Sequence, residues 1–322
     1  MNAVAIPWSA AEEVADRQLR MLHTALGADI ASALADPKVI EIMVNPDGTL
    51  WLDRLGEGCS WTGITLPAVA TERIIRLIAA HVGVEVHAAA PIFSAELPST
   101  GERFEGLLPP IVRGPTFSIR KRAIEVIGLP RYVEEGVLSS QVAEALRRAV
   151  RDRLNILIAG GTSTGKTTLA NALLREIAAT NDRVVVLEDT VELQCIAKNH
   201  VAIRTQGGVA NMTRLVRSTL RLRPDRIVLG EVRGGEALDL LKAWGTGHPG
   251  GIATLHAGSA YGSLMRLEQL IQEAVTAVPR ALIAETIHVI VFIARRDGAR
   301  RVEEIVRVKG LCANGYELEP ME

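Results

Sequence analysis

The sequence predicts an α/β protein of two domains, a larger C-terminal one built on a mainly parallel sheet and a smaller N-terminal one of α+β type. Three observations carry that reading. At 322 residues the chain exceeds a usual single domain. Its first part mixes period-two strands with two helical stretches, and from Ser139 onward short apolar runs alternate with helix-periodic segments. The clearest boundary signal runs from Gly128 to Gly136 and includes Gly-Leu-Pro. The expected organisation is therefore an N-terminal domain over 1–128, a linker over 129–137 and a C-terminal domain over 138–322.

Ser9-Ala10-Ala11-Glu12 has the form of a capping box, and Val14, Leu19, Leu22 and Leu26 give the helix after it an apolar face that ends at Asp36-Pro37. A hairpin follows over residues 39–53. Ile40, Ile42 and Val44 alternate up to the turn Asn45-Pro46-Asp47-Gly48, and Leu50 and Leu52 alternate after it. A helix from Thr71 to about Val82 comes next, then strands over 92–97, 103–108 and 116–121. In the C-terminal domain the pattern predicts helices over 140–152, 166–179, 212–222, 235–244 and 259–275. Strands are expected over 154–159, 183–188, 226–230, 251–255 and 288–294.

Between the first of those strands and the helix at 166 lies Gly160-Gly161-Thr162-Ser163-Thr164-Gly165-Lys166-Thr167-Thr168. Its spacing, G-x-x-x-x-G-K-T in a strand-to-helix turn, is that of a phosphate-cradling P-loop. Glycines let backbone N–H groups converge on an anion, the helix points its positive end at the same place, and a lysine reaches the β- and γ-phosphates. Lys166 fills that role, and Thr167 is the expected Mg²⁺ ligand. A chance glycine turn is the alternative; the flanking strand and helix disfavour it.

A P-loop alone does not specify hydrolysis, so the ends of the later strands matter. In an open parallel sheet, ligands bind beyond the carboxyl ends of the strands. Two strands end there in acids, one at Glu188-Asp189 and one at Glu231, and a third ends at His256. A carboxylate in this position can hold Mg²⁺ directly or through water, or orient the attacking water, and Glu231 is chosen for the second task. Acids after strands are also commonly loop residues or caps, and a histidine at a strand end is commonly a plain hydrogen-bonding group.

Thirty of the 36 basic residues are arginines. Arg214, Arg217 and Arg221 fall on one helical face, either solvated or at a subunit interface. Arg103 and Arg120 sit in N-terminal strands and are candidates for a charge clamp on a γ-phosphate.

Composition excludes several classes. A net charge of −1 and an aromatic content of 3% give no electrostatic or stacking case for nucleic acid, so direct DNA binding is not expected. Cys59, Cys195 and Cys312 are too scattered for a zinc site or a disulfide framework. The N-terminus, MNAVAIPWSAAEEVADRQ, lacks the basic and apolar regions of a signal peptide, and no apolar run reaches the ~18 residues of a membrane span. A cytosolic protein is expected, with any membrane association peripheral.

Taken together, GGTSTGKTT, VLEDTVEL, LRLRPDRIVLGEVRG and GGIATLHAGS resemble, in this order, the Walker A, Asp box, Walker B and His box of the type IV secretion and pilus-type traffic ATPases. FSIRKR and the preceding GERFEGLLPP look like that family's N-terminal domain. The resemblance implies a RecA-like C-terminal domain, a PAS-like N-terminal domain, and a homohexamer at the cytoplasmic face of the inner membrane that hydrolyses ATP with Mg²⁺. Its partners would be components of a secretion or conjugation channel. By the same resemblance Lys166 and Thr167 carry phosphates and Mg²⁺, Glu231 is the catalytic glutamate, Glu188 the Asp-box acid and His256 the His-box histidine. Arg103 and Arg120 would be the arginines that meet the γ-phosphate.

The four-cysteine zinc element and long N-terminal extension of the type II secretion and pilus-extension relatives are missing from this sequence. That favours the conjugation and type IV secretion branch, with a pilus-retraction motor, a RecA-like DNA translocase and a slowly turning nucleotide-gated assembly protein as alternatives.

Overall fold

The computed structural model describes residues 10–98, 100–121, 126–206, 208–296 and 299–321, with side chains from Arg17 onward. Ser9 of the expected capping box and the side chain of Val14 lie outside the described residues. The chain divides into two compact units, residues 1–124 and 125–322.

The N-terminal unit runs α1 (Ala10–Ala35), β1 (Val39–Val44), β2 (Thr49–Arg54), β3 (Gly58–Thr65), α2 (Ala68–His81), β4 (Ile92–Glu96), β5 (Arg103–Leu107) and β6 (Thr116–Arg120). Its six strands form an antiparallel sheet in the order β3-β2-β1-β6-β5-β4. Alternation sends Ile42, Val44, Leu52, Phe104 and Ile119 to one face, where they pack with Leu26 and Ile30 of α1 and Ile74 and Ile78 of α2. Gly27, at φ 69° and ψ 176°, interrupts α1, so the single helix expected there is two helices joined at a kink. The strand β3 was not predicted because its residues are mostly exposed and carry no apolar alternation.

The C-terminal unit continues with α3 (Leu129–Glu134), α4 (Ser140–Arg151), β7 (Ile156–Gly160), α5 (Lys166–Ile177), β8 (Val184–Glu188), β9 (His200–Arg204), α6 (Met212–Thr219) and β10 (Arg226–Leu229). It ends with α7 (Glu236–Gly245), β11 (Ile252–His256), α8 (Ala260–Gln272), α9 (Arg280–Thr286), β12 (Val289–Arg296), β13 (Ala299–Cys312) and β14 (Gly315–Pro320). One eight-stranded sheet runs β14-β13-β12-β7-β11-β10-β8-β9. It is parallel from β12 to β9, and β13 and β14 add antiparallel strands at one edge, which makes the sheet mixed. The central strands are buried on both faces, as their unbroken apolar runs require. Two cores cover those faces, one with α6, α7 and α8, the other with α3, α4 and α5.

Residues 129–137, expected as a linker, hold α3. Leu129 and Tyr132 are buried in the core beneath α4 and α5, so this stretch belongs to the C-terminal unit. A Gly-Leu-Pro start reads equally as a boundary or as a helix with proline in its first turn, and packing decides between them. The strands β9, β13 and β14 and the helix α9 were also not predicted; β9 and the first part of β13 alternate exposed with half-buried residues.

At the amino end of the parallel strands, Arg226 is fully buried. Its Nε donates to Asp182 Oδ2 at 2.6 Å, and its Nη1 donates to the carbonyls of Val150 at 2.9 Å and Gly250 at 3.3 Å. Gly250, at φ 82°, is required there, since a β-carbon would lie 2.7 Å from Arg226 Nη1. This charge cluster ties α4, β8, β10 and the start of β11 together at the end opposite the P-loop.

Because α3 is part of this core, Leu129→Ala should lower the stability of the C-terminal unit by about 2–5 kcal/mol in denaturant unfolding. An unchanged unfolding curve would restore residues 129–137 as a linker.

Candidate functional site

The strand β7 is central, with β11 on one side and β12 on the other, both parallel to it. It ends at Gly160, and the chain turns through residues 161–165 into α5. A β-carbon on Gly160 would lie 2.3 Å from the Ile293 carbonyl oxygen and 2.7 Å from Thr164 Oγ1, so only glycine lets the strand end this close to β12. Gly165, the N-cap of α5, is at φ 100°, and Ser163 is also left-handed at φ 58°. The loop therefore curls back on itself, and Thr164 Oγ1 donates to the Gly161 carbonyl at 3.0 Å. Gly165 brings no side chain to the first turn of α5, whose N–H groups face the concave side of this loop with the positive end of the helix dipole. The nine residues from Gly160 to Thr168 thus form one loop and helix start, as the spacing required.

Lys166 is buried, and its ammonium donates to the carbonyls of Gly160 at 3.1 Å and Gly161 at 2.7 Å. It also stands 3.3 Å from His256 Nδ1. An ammonium only donates, so Nδ1 accepts and the imidazole proton sits on Nε2, 2.9 Å from Glu231 Oε1. The other oxygen, Glu231 Oε2, accepts from Arg233 Nε at 2.8 Å and Nη2 at 2.5 Å. Arg233 lies in turn 3.5 Å from Asp189. Burial works against the Arg233 charge, but Glu231 first, then Asp189 and Glu192, outweigh it and hold the guanidinium above its ordinary pKa. A single polar chain therefore connects the P-loop lysine to Glu231 and on to Asp189. Arg233 and Asp189 enter it from loops beyond β10 and β8; sequence reading named Asp189 only in passing and did not single out Arg233.

Glu188 is at the same strand end but faces differently. It is buried, and its Oε1 accepts backbone N–H bonds from Glu192 at 2.9 Å and Leu193 at 2.7 Å. Its side chain also fills the space over Gly230, where a β-carbon would lie 3.0 Å from Glu188 Cγ. Glu188 folds the loop after β8 back toward α5, and Asn171 of α5 fastens that loop by bonds to the Glu192 carbonyl and the Gln194 amide. The carboxylate that reaches Thr167 is Glu192, whose Oε2 accepts from Thr167 Oγ1 at 3.2 Å. In the sequence the signal for Glu192 is only that it follows Glu188 by four residues in a loop that turns.

A hydroxyl beside a carboxylate at a helix N-terminus is a hard-oxygen donor set, which fits Mg²⁺. Among the described residues no group of three or more His, Cys, Asp or Glu side chains could hold a metal by itself.

In the N-terminal unit, Arg103 and Arg120 are cross-strand neighbours on β5 and β6, with Glu96 of β4 opposite Arg103 and Glu41 of β1 opposite Arg120. The four charges form a row across the sheet face away from the helices. The expected arginine face of α6 is interrupted. The helix ends at Thr219, short of Arg221; Arg217 pairs with Asp239 at 2.9 and 3.1 Å, and Arg214 donates to the Val209 carbonyl.

Residues 30–306, which span the P-loop, both acidic strand ends and His256, match the family described as Type II/IV secretion system protein. The chain belongs to that family. It is 50% identical over 305 residues to a probable conjugal transfer protein TrbB of Sinorhizobium fredii, covering 94% of this chain and 93% of that protein. It is 35% identical to the type IV secretion system protein PtlH of Bordetella pertussis, over 87% of this chain and 93% of the relative. Among solved structures, the pilus retraction motor PilT with bound ADP shares the fold at a TM-score of 0.62 and 18% identity, covering 91% of this chain and 82% of PilT. Among the described residues, no helix is long and apolar enough to cross a membrane.

The two acids at the loop after β8 separate by experiment. Glu188→Ala leaves two N–H groups without their acceptor and should cost about 1–3 kcal/mol in denaturant unfolding. Glu192→Ala, which removes one exposed-side contact, should stay within about 0.5 kcal/mol of the parent. Equal losses would mean that both residues only hold the loop.

Proposed function

We propose that this protein is a Mg²⁺-dependent ATPase that works as a homohexameric ring and powers conjugative DNA transfer or conjugative pilus assembly through a type IV secretion channel. The observation that carries the reading is the hydrogen-bonded chain Lys166–His256–Glu231, which joins the phosphate-binding lysine to a carboxylate at the end of a neighbouring strand. The kinship at 50% identity with conjugal transfer proteins supports the conjugative role over the others. The fold shared with PilT suits a retraction motor as well. The small aromatic content and the net charge of −1 weigh against a DNA translocase.

In this reading the N–H groups of residues 161–168 cradle the β-phosphate of ATP. Lys166 exchanges its contacts with the Gly160 and Gly161 carbonyls and with His256 for phosphate oxygens. His256, released from the ammonium, keeps its Nε2–H on Glu231 and continues to orient that carboxylate. Glu231, clamped on its other oxygen by Arg233, directs the attacking water and accepts its proton at a carboxylate oxygen, as the water oxygen bonds to the γ-phosphorus and the bond to the β–γ bridging oxygen breaks, so that ADP leaves. Thr167 and Glu192 would hold Mg²⁺, and Glu188, which keeps the loop in place, would serve the metal only through water. The ion supplies charge neutralisation on the β- and γ-phosphates.

Arg103 and Arg120 are proposed as the arginines that meet the γ-phosphate, on a PAS-like N-terminal domain whose movement against the RecA-like domain is the power stroke. The ring is assigned to the cytoplasmic face of the inner membrane, held there by channel components.

Glu231→Gln should lower turnover by about a hundredfold or more while ATP binding stays within a few-fold of the parent. Loss of equilibrium binding together with turnover would make Glu231 a structural or metal-holding residue. Arg120→Ala should lower turnover and leave ADP affinity nearly unchanged, because the contact is made only by the third phosphate. Normal turnover in that variant would leave Arg120 as one member of the charge row on the sheet.

A further inference from the structure

The strands that carry His256, Glu231 and Glu188 all lie to one side of β7. His256 ends β11, Glu231 follows β10 and the Glu188–Glu192 loop follows β8, and these strands lie in that order away from β7. On the opposite side of β7 stands β12, and the hairpin it forms with β13 brings a different residue onto the P-loop. Arg300, the second residue of β13, has its side chain against Gly165: a β-carbon there would lie 3.3 Å from Arg300 Cδ and 3.6 Å from its Nε. The guanidinium stem therefore covers the glycine whose left-handed turn starts α5.

Three further observations bear on what Arg300 does there. It is half-buried, and among the described residues no carboxylate forms an ion pair with it, although Arg217, Arg226, Arg233, Arg280 and Arg296 all have such partners. Its cross-strand neighbour on β12 is Arg295, so β12 and β13 bring two guanidinium-bearing residues to register positions directly opposite each other. Its position is also fixed from below. The amide of Val302 donates to the Val137 carbonyl at 2.8 Å, which fastens β13 to the segment between α3 and α4.

We propose that Arg300 is a nucleotide-binding residue that holds the α-phosphate of the nucleotide in the P-loop, a role outside the four sequence motifs. The inference rests on the reading of residues 160–168 as a nucleotide site. A phosphate chain whose terminal phosphate faces His256 and Glu231 must run back across the loop toward β12, so the phosphate nearest the nucleoside falls beside Arg300. Guanidinium suits this place because its planar fork bonds phosphate oxygens bidentately and keeps its charge when partly buried.

The experiment is equilibrium binding of fluorescent ATP and ADP analogues, with Mg²⁺, to the full chain and to Arg300→Ala, Arg300→Gln and Lys166→Ala. A charge-assisted contact to the α-phosphate is common to both nucleotides. Arg300→Ala and Arg300→Gln should therefore raise Kd by about ten- to a hundredfold for ATP and ADP alike. The melting temperature without nucleotide should stay close to the parent's, and Arg300→Gln, which keeps the aliphatic stem and a polar end while removing the charge, guards against a folding defect in the alanine variant. Binding by the parent, its weakening in Lys166→Ala and unchanged binding in both Arg300 variants would overturn the proposal and leave the P-loop reading standing. A loss confined to ATP would also overturn it, because it would put Arg300 at the γ-phosphate. Absence of binding by the parent, or parent-like binding by Lys166→Ala, would instead sink the nucleotide reading on which the proposal rests.

Discussion

The whole site depends on the parallel register of β7 with β11, in which Gly160 is the neighbour of His256. That one pairing sets the imidazole beside the first glycine of the loop, within reach of Lys166, and leaves its other nitrogen aimed at Glu231. A shift of one residue would turn His256 to the other face of the sheet and break the chain of contacts in the middle. The register is secured far away. Asn155, just before β7, is buried and accepts from the amides of Gly250 and Gly251 just before β11, while its own amide donates to the Thr286 carbonyl ahead of β12. One asparagine thus aligns all three strands at the end opposite the chemistry.

The glycines of the loop follow from the same constraint. Gly160 has β12 packed against it through the Ile293 carbonyl, and Gly165 has the Arg300 side chain over it. Their lack of a β-carbon serves two ends, since it lets the backbone turn tightly and lets β12 and β13 close over the loop. At the other strand ends the acids divide their labour by burial. Glu188 is enclosed and spends its oxygen on backbone amides, whereas Glu231 and Glu192 keep their oxygens on groups around the loop mouth.

Much of this was legible in the sequence. The alternation of apolar runs and helical segments gave five of the parallel-sheet strands nearly to the residue, because strands buried on both faces must be apolar throughout. The turn from strand to helix at residues 160–166 was readable because its glycine spacing is a local geometric requirement. Less was legible at the edges. The strands β9 and β13 are partly solvated, so their composition is that of surface chain, and α3 begins with the Gly-Leu-Pro of a boundary although Leu129 and Tyr132 are buried.

The sequence by itself determined which residues end the strands, and hence that Lys166, Glu188, Glu231 and His256 collect at one edge of the sheet. It did so because position along a strand is a one-dimensional quantity. Only the tertiary structure decided which way each side chain faces and what it meets. Glu188 and Glu192 differ by four places in one loop, yet one is tied to backbone amides and the other touches Thr167, because a turn held by Glu188 itself separates them. Arg233 became the clamp on Glu231, and Arg300 arrived at Gly165 from 135 residues away along the chain. Contacts of that kind depend on strand order and register across the sheet, which no local pattern of residues encodes.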